Sequence, residues 1–450
     1  MPAAASLFRP LILVAAVAVI PAASAAFAAV DVSTYRELDQ FMAVFERVRS
    51  EYVDQVDDKK LIRGAIDGML NSLDPHSSYL DERGYRGLMT TTEGEYGGLG
   101  VNVTMEDGAV KVIAPIEDSP GAKAGLKAGD FITHLNGKLI YGGTLDEAVD
   151  QMRGPPGTSI KLTIVRPGRD KPFDVTLTRA KIELPAVKWK VKDNVGIIDV
   201  NTFSRTTTSE AMAAITSIEK ALGHAPAGYI VDLRSNPGGL LDQAVGLSDL
   251  FLENGEIVSQ RGRRKSDIER YYAKPGDATH GAPIIVLVDQ GSASAAEIVA
   301  GALQDHHRAL VMGQRSFGKG SVQTLLPLSQ DTALRLTTAR YYTPSGRSVQ
   351  EGGITPDIEV PQLSDPDYKD RPRLREADLR RHLINEASVK NDVLEDDGKP
   401  DPRFTATADD LKKRGIEDFQ LHYAIQAIAR LQTRNAQAPA PAGGKAVSRR

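Results

Sequence analysis

Between residues 183 and 359 the chain repeats one order: an apolar run, a turn of small residues, an amphipathic run. "VGIIDVNTF" precedes "SEAMAAITSIEKAL", and "GYIVDLR" leads through "SNPGG" into "LLDQAVGLSDLF". "PIIVLVD" leads through "QGSAS" into "AAEIVAGALQD", with "RALVMG" after it. Strand and helix alternating in this way predict an α/β core with parallel strand pairs, placed at residues 181–362. Functional groups in such folds gather in turns at the C-terminal ends of strands. Both "SNPGG" and "QGSAS" occupy that position.

Other textures flank the core. Leu38, Phe41, Met42, Phe45, Val48 and Tyr52 recur at three- and four-residue steps, which predicts an amphipathic helix. A second helical run, "KLIRGAIDGMLNSL", is stopped by Pro75 in "DPHSSYL", completing a helical region at 29–92. His76 is expected to serve that turn rather than chemistry. Residues 93–180 change to short β-rich pieces between glycine turns, among them "GVNVTME" and "SIKLTIVRPG". One helix interrupts them, "TLDEAVDQMRG", with Thr144 expected as its N-cap and Glu147 three residues on. After Gln362 the chain turns polar. "RLREADLRRHLINEA" and "DDLKKRGIEDFQLHYAIQAIARLQ" are expected to be helical within 363–433, and residues 434–450 read as a disordered tail.

At the other end, Arg9 precedes a ten-residue apolar run, Leu11 to Ile20, followed by A-x-A sites near Ala25 and Ala28. Crossing a bilayer takes roughly 17–25 residues, so residues 1–28 read as a secretory signal, with an uncleaved anchor as the alternative. The chain has no cysteine, which excludes disulfides, thiol nucleophiles and cysteine-ligated metals and suits an exported, periplasmic protein. Net charge is −4, and the basic cluster "RGRRKSDIER" carries two acids, so no nucleic-acid partner is expected. No motif calls for a cofactor or a metal.

The turn "GSAS" offers two serines, and a serine hydroxyl is a poor nucleophile until a neighbour takes its proton. If the following helix is unbroken, His306 and His307 lie too far along it to serve. The G-x-S-x-G elbow is also missing, because Ser292 and Ala296 flank Ser294 where glycines would stand. The other base is a lysine between two glycines, Gly318-Lys319-Gly320; burial can bring such an amine toward neutrality, although the same stretch also suits a surface turn. Gln323 follows four residues on. In a strand it would stand roughly 13 Å from Lys319, and in a helical turn about 6 Å away. A chain that is turned, not extended, from Gly318 to Gln323 is therefore expected.

Taken together, "GSASAAEI", "FGKGSVQ" and "DLRSNPGG", with "LDPHSSYL" upstream, resemble the carboxyl-terminal processing proteases from about Tyr35 to Pro361. The resemblance implies an α/β crotonase-like protease core with an inserted β-rich PDZ domain and helical N- and C-terminal extensions. It implies a serine endopeptidase in which Ser294 is the nucleophile, Lys319 the general base and Gln323 its orienting partner. Ser292 becomes a turn residue. The family often reads "GSASASE", and here Ala296 replaces the third serine. An oxyanion hole is implied at Ala295 and at Gly238 or Gly239. Asp232, Arg234 and Glu297 are read as structural supports.

"SPGAKAGLKAGDFITHLNG" resembles a PDZ domain, and "EYGGLGV" its carboxylate-binding loop. Backbone amides around Gly98, Leu99 and Gly100 can hold a terminal carboxylate while the peptide adds as an edge strand. Val149 forms one wall of the side-chain pocket, or else fills the module's core. The partners expected are proteins with hydrophobic C-termini, an adaptor protein, and further copies of the chain in a homo-oligomer. A PDZ scaffold without catalysis is the competing reading; against it, Ser294, Lys319 and Gln323 are all present.

Overall fold

The computed structural model describes residues 32–140, 142–368, 374–386 and 403–437. The leader expected at 1–28 lies outside them, and no helix among the described residues is long and apolar enough to cross a membrane. The chain divides into two units, one ending at Ile66 and one beginning at Asp67. The first holds helix Val32–Glu51 and most of helix Asp58–Asn71, close to the expected spans. Tyr35, Leu38, Phe41 and Met42 of its first helix are exposed.

The second unit is built on a six-stranded sheet in the order Val187–Lys192, Val195–Val200, Gly228–Asp232, Ile284–Val288, Ala309–Gly313, Ile358–Glu359. The first two strands form an antiparallel pair and every later pair is parallel. Gly228–Asp232 and Ile284–Val288 are buried along their whole length, which is why they read as unbroken apolar runs rather than alternating ones. Alternate side chains serve opposite faces. Tyr229, Val231, Val286 and Val288 meet helices Thr207–Leu222, Leu241–Asp249 and Ala295–Asp305. Ile230, Ile285 and Leu287 meet Leu421, Ala424, Ile425 and Ile428 of the C-terminal helix Phe419–Gln437.

A second sheet lies beside this core. Its longest strand, Ala333–Tyr342, pairs antiparallel with Ser78–Leu80, Glu256–Gly262 and Ser321–Pro327. Residues 101–178 fold as a separate antiparallel sheet, and strands Glu95–Gly98 and Ala180–Glu183 pair at its root, with Gly98 opposite Ala180. Its Asp107-Gly108 hairpin turn has positive φ at both residues, 52° and 75°, as a type I′ turn requires. Helix Leu145–Met152 carries the expected capping box between Thr144 and Glu147. Arg179 donates to Gln151 and Met152 carbonyls at that helix's other end.

Two C-terminal expectations are corrected. Over its described residues, 374–386, "RLREADLRRHLINEA" forms no α-helix, and its one helical element is the 3₁₀ turn Glu376–Asp378. Leu374 and Ile384 stay exposed while Glu376 is drawn into a buried polar cluster, so the stretch has no apolar face to bury. The last helix runs on to Gln437, four residues into the tail expected at 434–450; the remainder of that tail lies outside the described residues. Gly415, at φ 68°, separates it from the short helix Ala408–Lys413.

Asp418 caps the C-terminal helix by accepting from the Leu421 amide at 3.1 Å and holds Arg234 of the "DLRSNPGG" turn through both carboxylate oxygens, at 3.0 and 2.7 Å. Burial alone would push the Asp418 carboxyl up, but the hydrogen bonds and charge of Arg234 hold it down at about 2. A depressed carboxyl stabilises the fold fully above its unfolded value, about 3.9, and loses that contribution as pH falls through about 2. Asp418→Asn is expected to cost about 1.5 kcal/mol at neutral pH. Denaturant midpoints should show the difference from wild type closing between pH 4 and pH 2, roughly.

Candidate active site

Strand Ile284–Val288 leaves the sheet through a turn that its own polar side chains organise. Asp289 accepts from the Gly291 amide at 2.9 Å and from the Ser235 amide of the neighbouring turn at 2.7 Å. Ser292 is buried; its hydroxyl donates to Leu233 O at 2.8 Å and accepts from the Asp289 amide at 2.9 Å. It is a turn residue, as read. Ser294 follows at φ 55°, ψ −113°, a backbone shape rare for a side-chain-bearing residue, and helix Ala295–Asp305 starts immediately after it. Strain of this kind is on the order of 1–3 kcal/mol and persists only where the surroundings enforce it. The glycine spacing of a nucleophile elbow is absent from the sequence, yet a strained strand-to-helix turn is present.

What enforces it is Glu297. Its carboxylate is fully buried and accepts four hydrogen bonds. Oε2 takes the Ser294 amide at 2.8 Å and the Lys319 amide at 2.9 Å; Oε1 takes Ser316 Oγ at 2.5 Å and the Gly318 amide at 2.7 Å. Burial pushes this carboxyl up to about 7, against the pull of the same four bonds toward its charged form. Tyr341 completes the clamp from the opposite side, with its hydroxyl on the carbonyls of both Ser294 and Lys319. Two backbone segments distant in sequence are thus joined donor side and acceptor side. Glu297 is a support, as read, and the S-x-x-E spacing from Ser294 is its signal in the sequence. Tyr341 was missed, and nothing in "ARYYTPSG" marks it.

Lys319 is partly buried, and burial lowers its amine from the usual lysine range. Arg335 lowers it further, while Glu376, Glu297 and Asp74 work in the opposite direction. The expected helical turn from Gly318 to Gln323 is not there. Gly318 bends the chain at φ 96°, and strand Ser321–Pro327 begins three residues later, so Gln323 stands in a strand. A register shift between Val322 and Gln323 breaks the regular pairing at that point. The amide nitrogen of Gln323 donates to Ser321 Oγ at 2.9 Å and Thr337 Oγ1 at 3.3 Å.

The glycine turn lies against the serine. A Cβ on Gly238 would come within 2.8 Å of Ser294 Cβ, which only glycine avoids. The two glycines are not equivalent as donors. The Gly238 amide is already held by Asn236 Oδ1 at 2.8 Å, so it is withdrawn as a candidate oxyanion donor. Gly239 and Ala295 remain. Both line a cleft of about 740 Å³ together with Ser294, Lys319 and Gln323. Apolar residues line much of it, from Leu240, Leu241 and Ile298 of the core to Tyr85, Leu88 and Met89 of helix Glu82–Glu93, with Arg205, Asp242 and Arg335 among them. The histidines stay out of it. His306 follows the end of the long helix and bonds Glu256 O, and His76 bonds Glu376.

Residues 194–360 match peptidase family S41, residues 111–166 match the PDZ domain, and residues 18–84 match the N-terminal domain of the activating protease CtpB. A carboxy-terminal-processing protease of Bartonella bacilliformis is 55% identical over 353 residues, which are 78% of this chain and 81% of that protein. The chain belongs to the carboxy-terminal processing proteases. A second relative, CtpB of Bacillus subtilis, is 34% identical over 429 residues and spans 92% of this chain and 87% of its own. CtpA of the same organism is 37% identical over 75% of the chain. The family model for peptidase S41 thus takes in Ser294, Lys319 and Gln323 but stops short of the C-terminal helix.

The PDZ domain has its own groove. Leu99, Gly100 and Val149 line it with Tyr96, Val101 and Met152, beside strand Val101–Glu106 at the free edge of the sheet. Val149 is half-buried, so it belongs to the groove wall rather than only to the core. Gly98 does not line the groove, because its backbone is engaged in the pairing with Ala180.

Among the described residues no group of three or more acidic or histidine side chains could hold a metal ion. Replacing Glu297 by Gln puts an amide NH₂ where only acceptors fit. Loss of one charge-assisted hydrogen bond, about 1.5–3 kcal/mol, corresponds to a proteolytic rate lower by roughly 10–150-fold. Steady-state assays of Glu297→Gln on an unfolded protein substrate check this.

Proposed function

We propose that this protein is a serine endopeptidase that captures the C-termini of exported proteins in its PDZ groove and cleaves them with Ser294 and Lys319. The observation that carries the reading is the shared Glu297 oxygen: the amides of the two residues sit on one buried atom while their side chains line one cleft. The layered sheet with its strand-to-helix turns supports a crotonase-like core. The leader-like segment at 1–28 supports a periplasmic location, and the exposed apolar face of helix Val32–Glu51 supports a homo-oligomer or adaptor contact.

The chemistry follows from the groups present. Neutral Lys319 takes the proton of Ser294 Oγ as that oxygen attacks the peptide carbonyl carbon. Negative charge on the carbonyl oxygen meets the amides of Ala295 and Gly239, the former at the positive end of a helix. Gln323 has its nitrogen committed to Ser321 and Thr337, which leaves its oxygen as the acceptor proposed here for the lysine amine. Collapse of the intermediate breaks the C–N bond, and the lysine ammonium protonates the leaving amine. Water then adds to the acyl-serine with Lys319 taking its proton, and the acid product leaves with Ser294 restored. Leu99 and Gly100 receive the substrate's terminal carboxylate, its last side chain lies against Val149 and Met152, and its backbone extends the Val101–Glu106 edge.

The test is cleavage of an unfolded protein with a hydrophobic C-terminus. Ser294→Ala and Lys319→Ala are each expected to lose about 10³-fold or more. Amidating the substrate's C-terminus should raise KM about tenfold with kcat preserved. Activity should fall as pH drops through the lowered pKa of Lys319, since only the neutral amine accepts a proton. Equal rates in wild type and both variants would overturn the assignment.

A further inference from the structure

The segment that carries Lys319 and Gln323 is anchored at both ends by residues far from it in sequence. At its start, the Gly320 amide donates to Gln350 Oε1 at 3.0 Å, and Gln350 Nε2 donates to Glu376 Oε1 at 3.0 Å. Glu376 is fully buried, and its other partner is His76, whose Nε2 lies 3.0 and 2.8 Å from the two carboxylate oxygens. A carboxylate only accepts, so that nitrogen carries the proton. At the far end, Gln323 donates to Thr337 Oγ1, and Thr337 donates to Asp74 Oδ1 at 3.1 Å. The same Asp74 oxygen accepts the backbone amide of His76 at 2.8 Å. The two arms therefore meet at His76 and close a ring.

We propose that Glu376 and Asp74 are positioning residues for the base, closing a hydrogen-bonded ring that fixes the segment from Lys319 to Gln323 against the strand and turn around it. The proposal rests on the reading of Lys319 as the base. Neither residue lies within 194–360, the span that matches the protease family, so both chain ends contribute to the placement of the amine. Two further ties point the same way. The Glu376 amide donates to Phe317 O at 3.1 Å, just ahead of the lysine, and the His76 carbonyl accepts from Arg335 Nε at 3.2 Å. Arg335 is the cation facing Lys319; the acids facing it are Glu376, Glu297 and Asp74, with Tyr341 on its carbonyl. Asp74 keeps its charge: burial raises its carboxyl, but bonds from Ser77, His76 and Thr337 outweigh that and lower it.

Full-length Glu376→Gln and Asp74→Asn keep the side-chain shapes and remove one charge each. Thermal melts would report any loss of stability, and the pH profile of kcat/KM on the unfolded substrate reports the base. Each variant is expected to move the acidic limb down by about half a pH unit, because an acid that favours the ammonium is gone, with kcat lower by about tenfold and KM retained. Lower stability with the acidic limb at the wild-type position in both variants overturns the proposal, whatever their rates. Absence of that limb from the wild type itself, or its survival in Lys319→Ala, overturns instead the reading of Lys319 as base.

Discussion

A single carboxylate, Glu297, ties the backbones of the two candidate reactive residues together. It sits without water contact at the start of the helix and accepts four donors, of which two are the amides of Ser294 and Lys319. Charge-assisted bonds are stronger than neutral ones, and in a dry site an unpaired member is costly. Each donor there has that carboxylate as its partner, so losing one bond leaves a buried group unpaired. These shared bonds tie the positive-φ backbone of Ser294 to the loop of Lys319.

Around this bond, each layer of the fold has a share in the cleft. The parallel sheet delivers two turns at its C-terminal edge, one with the serine and one with the glycines. The antiparallel sheet delivers Gln323 and Arg335 from strands that pair with one another, with Lys319 in the loop just ahead of the first. Helix Glu82–Glu93 closes the apolar wall and leads directly into the strand at the root of the PDZ domain. The last helix covers the sheet's other face and, through Asp418 and Arg234, grips the glycine turn from behind. Asp74, Glu376 and Asp418, outside the span that matches the protease family, thus reach the cleft or its glycine turn through a few hydrogen bonds.

Much of this was legible in the sequence because its signals are local. Apolar runs ending in small-residue turns gave the parallel strands, and Thr144 with Glu147 gave the PDZ helix its start. Ser294 and Lys319 stood out through their neighbours, a turn of small residues and a pair of glycines. What could not be read depends on partners distant in the chain. Tyr341 and Glu376 look like ordinary residues until folding brings them to Lys319 and His76. The arginine-rich stretch before Ile384 was misread as a helix because its charges suit one, whereas burial of Glu376 requires an irregular path. The choice between Gly238 and Gly239 was hidden for a similar reason: the side chain of Asn236 claims the Gly238 amide, a competition invisible in "SNPGG".

The central claim is a lysine amine lowered from its usual range by burial, in a cleft it shares with a serine hydroxyl. Titration of ¹³C-lysine-labelled protein by NMR, with the Lys319 signal identified by its loss in Lys319→Arg, reads that directly. The account predicts a midpoint well below the ordinary lysine value of about 10.4. A Lys319 signal that titrates at or above that value, in protein that still cleaves its substrate, would contradict it.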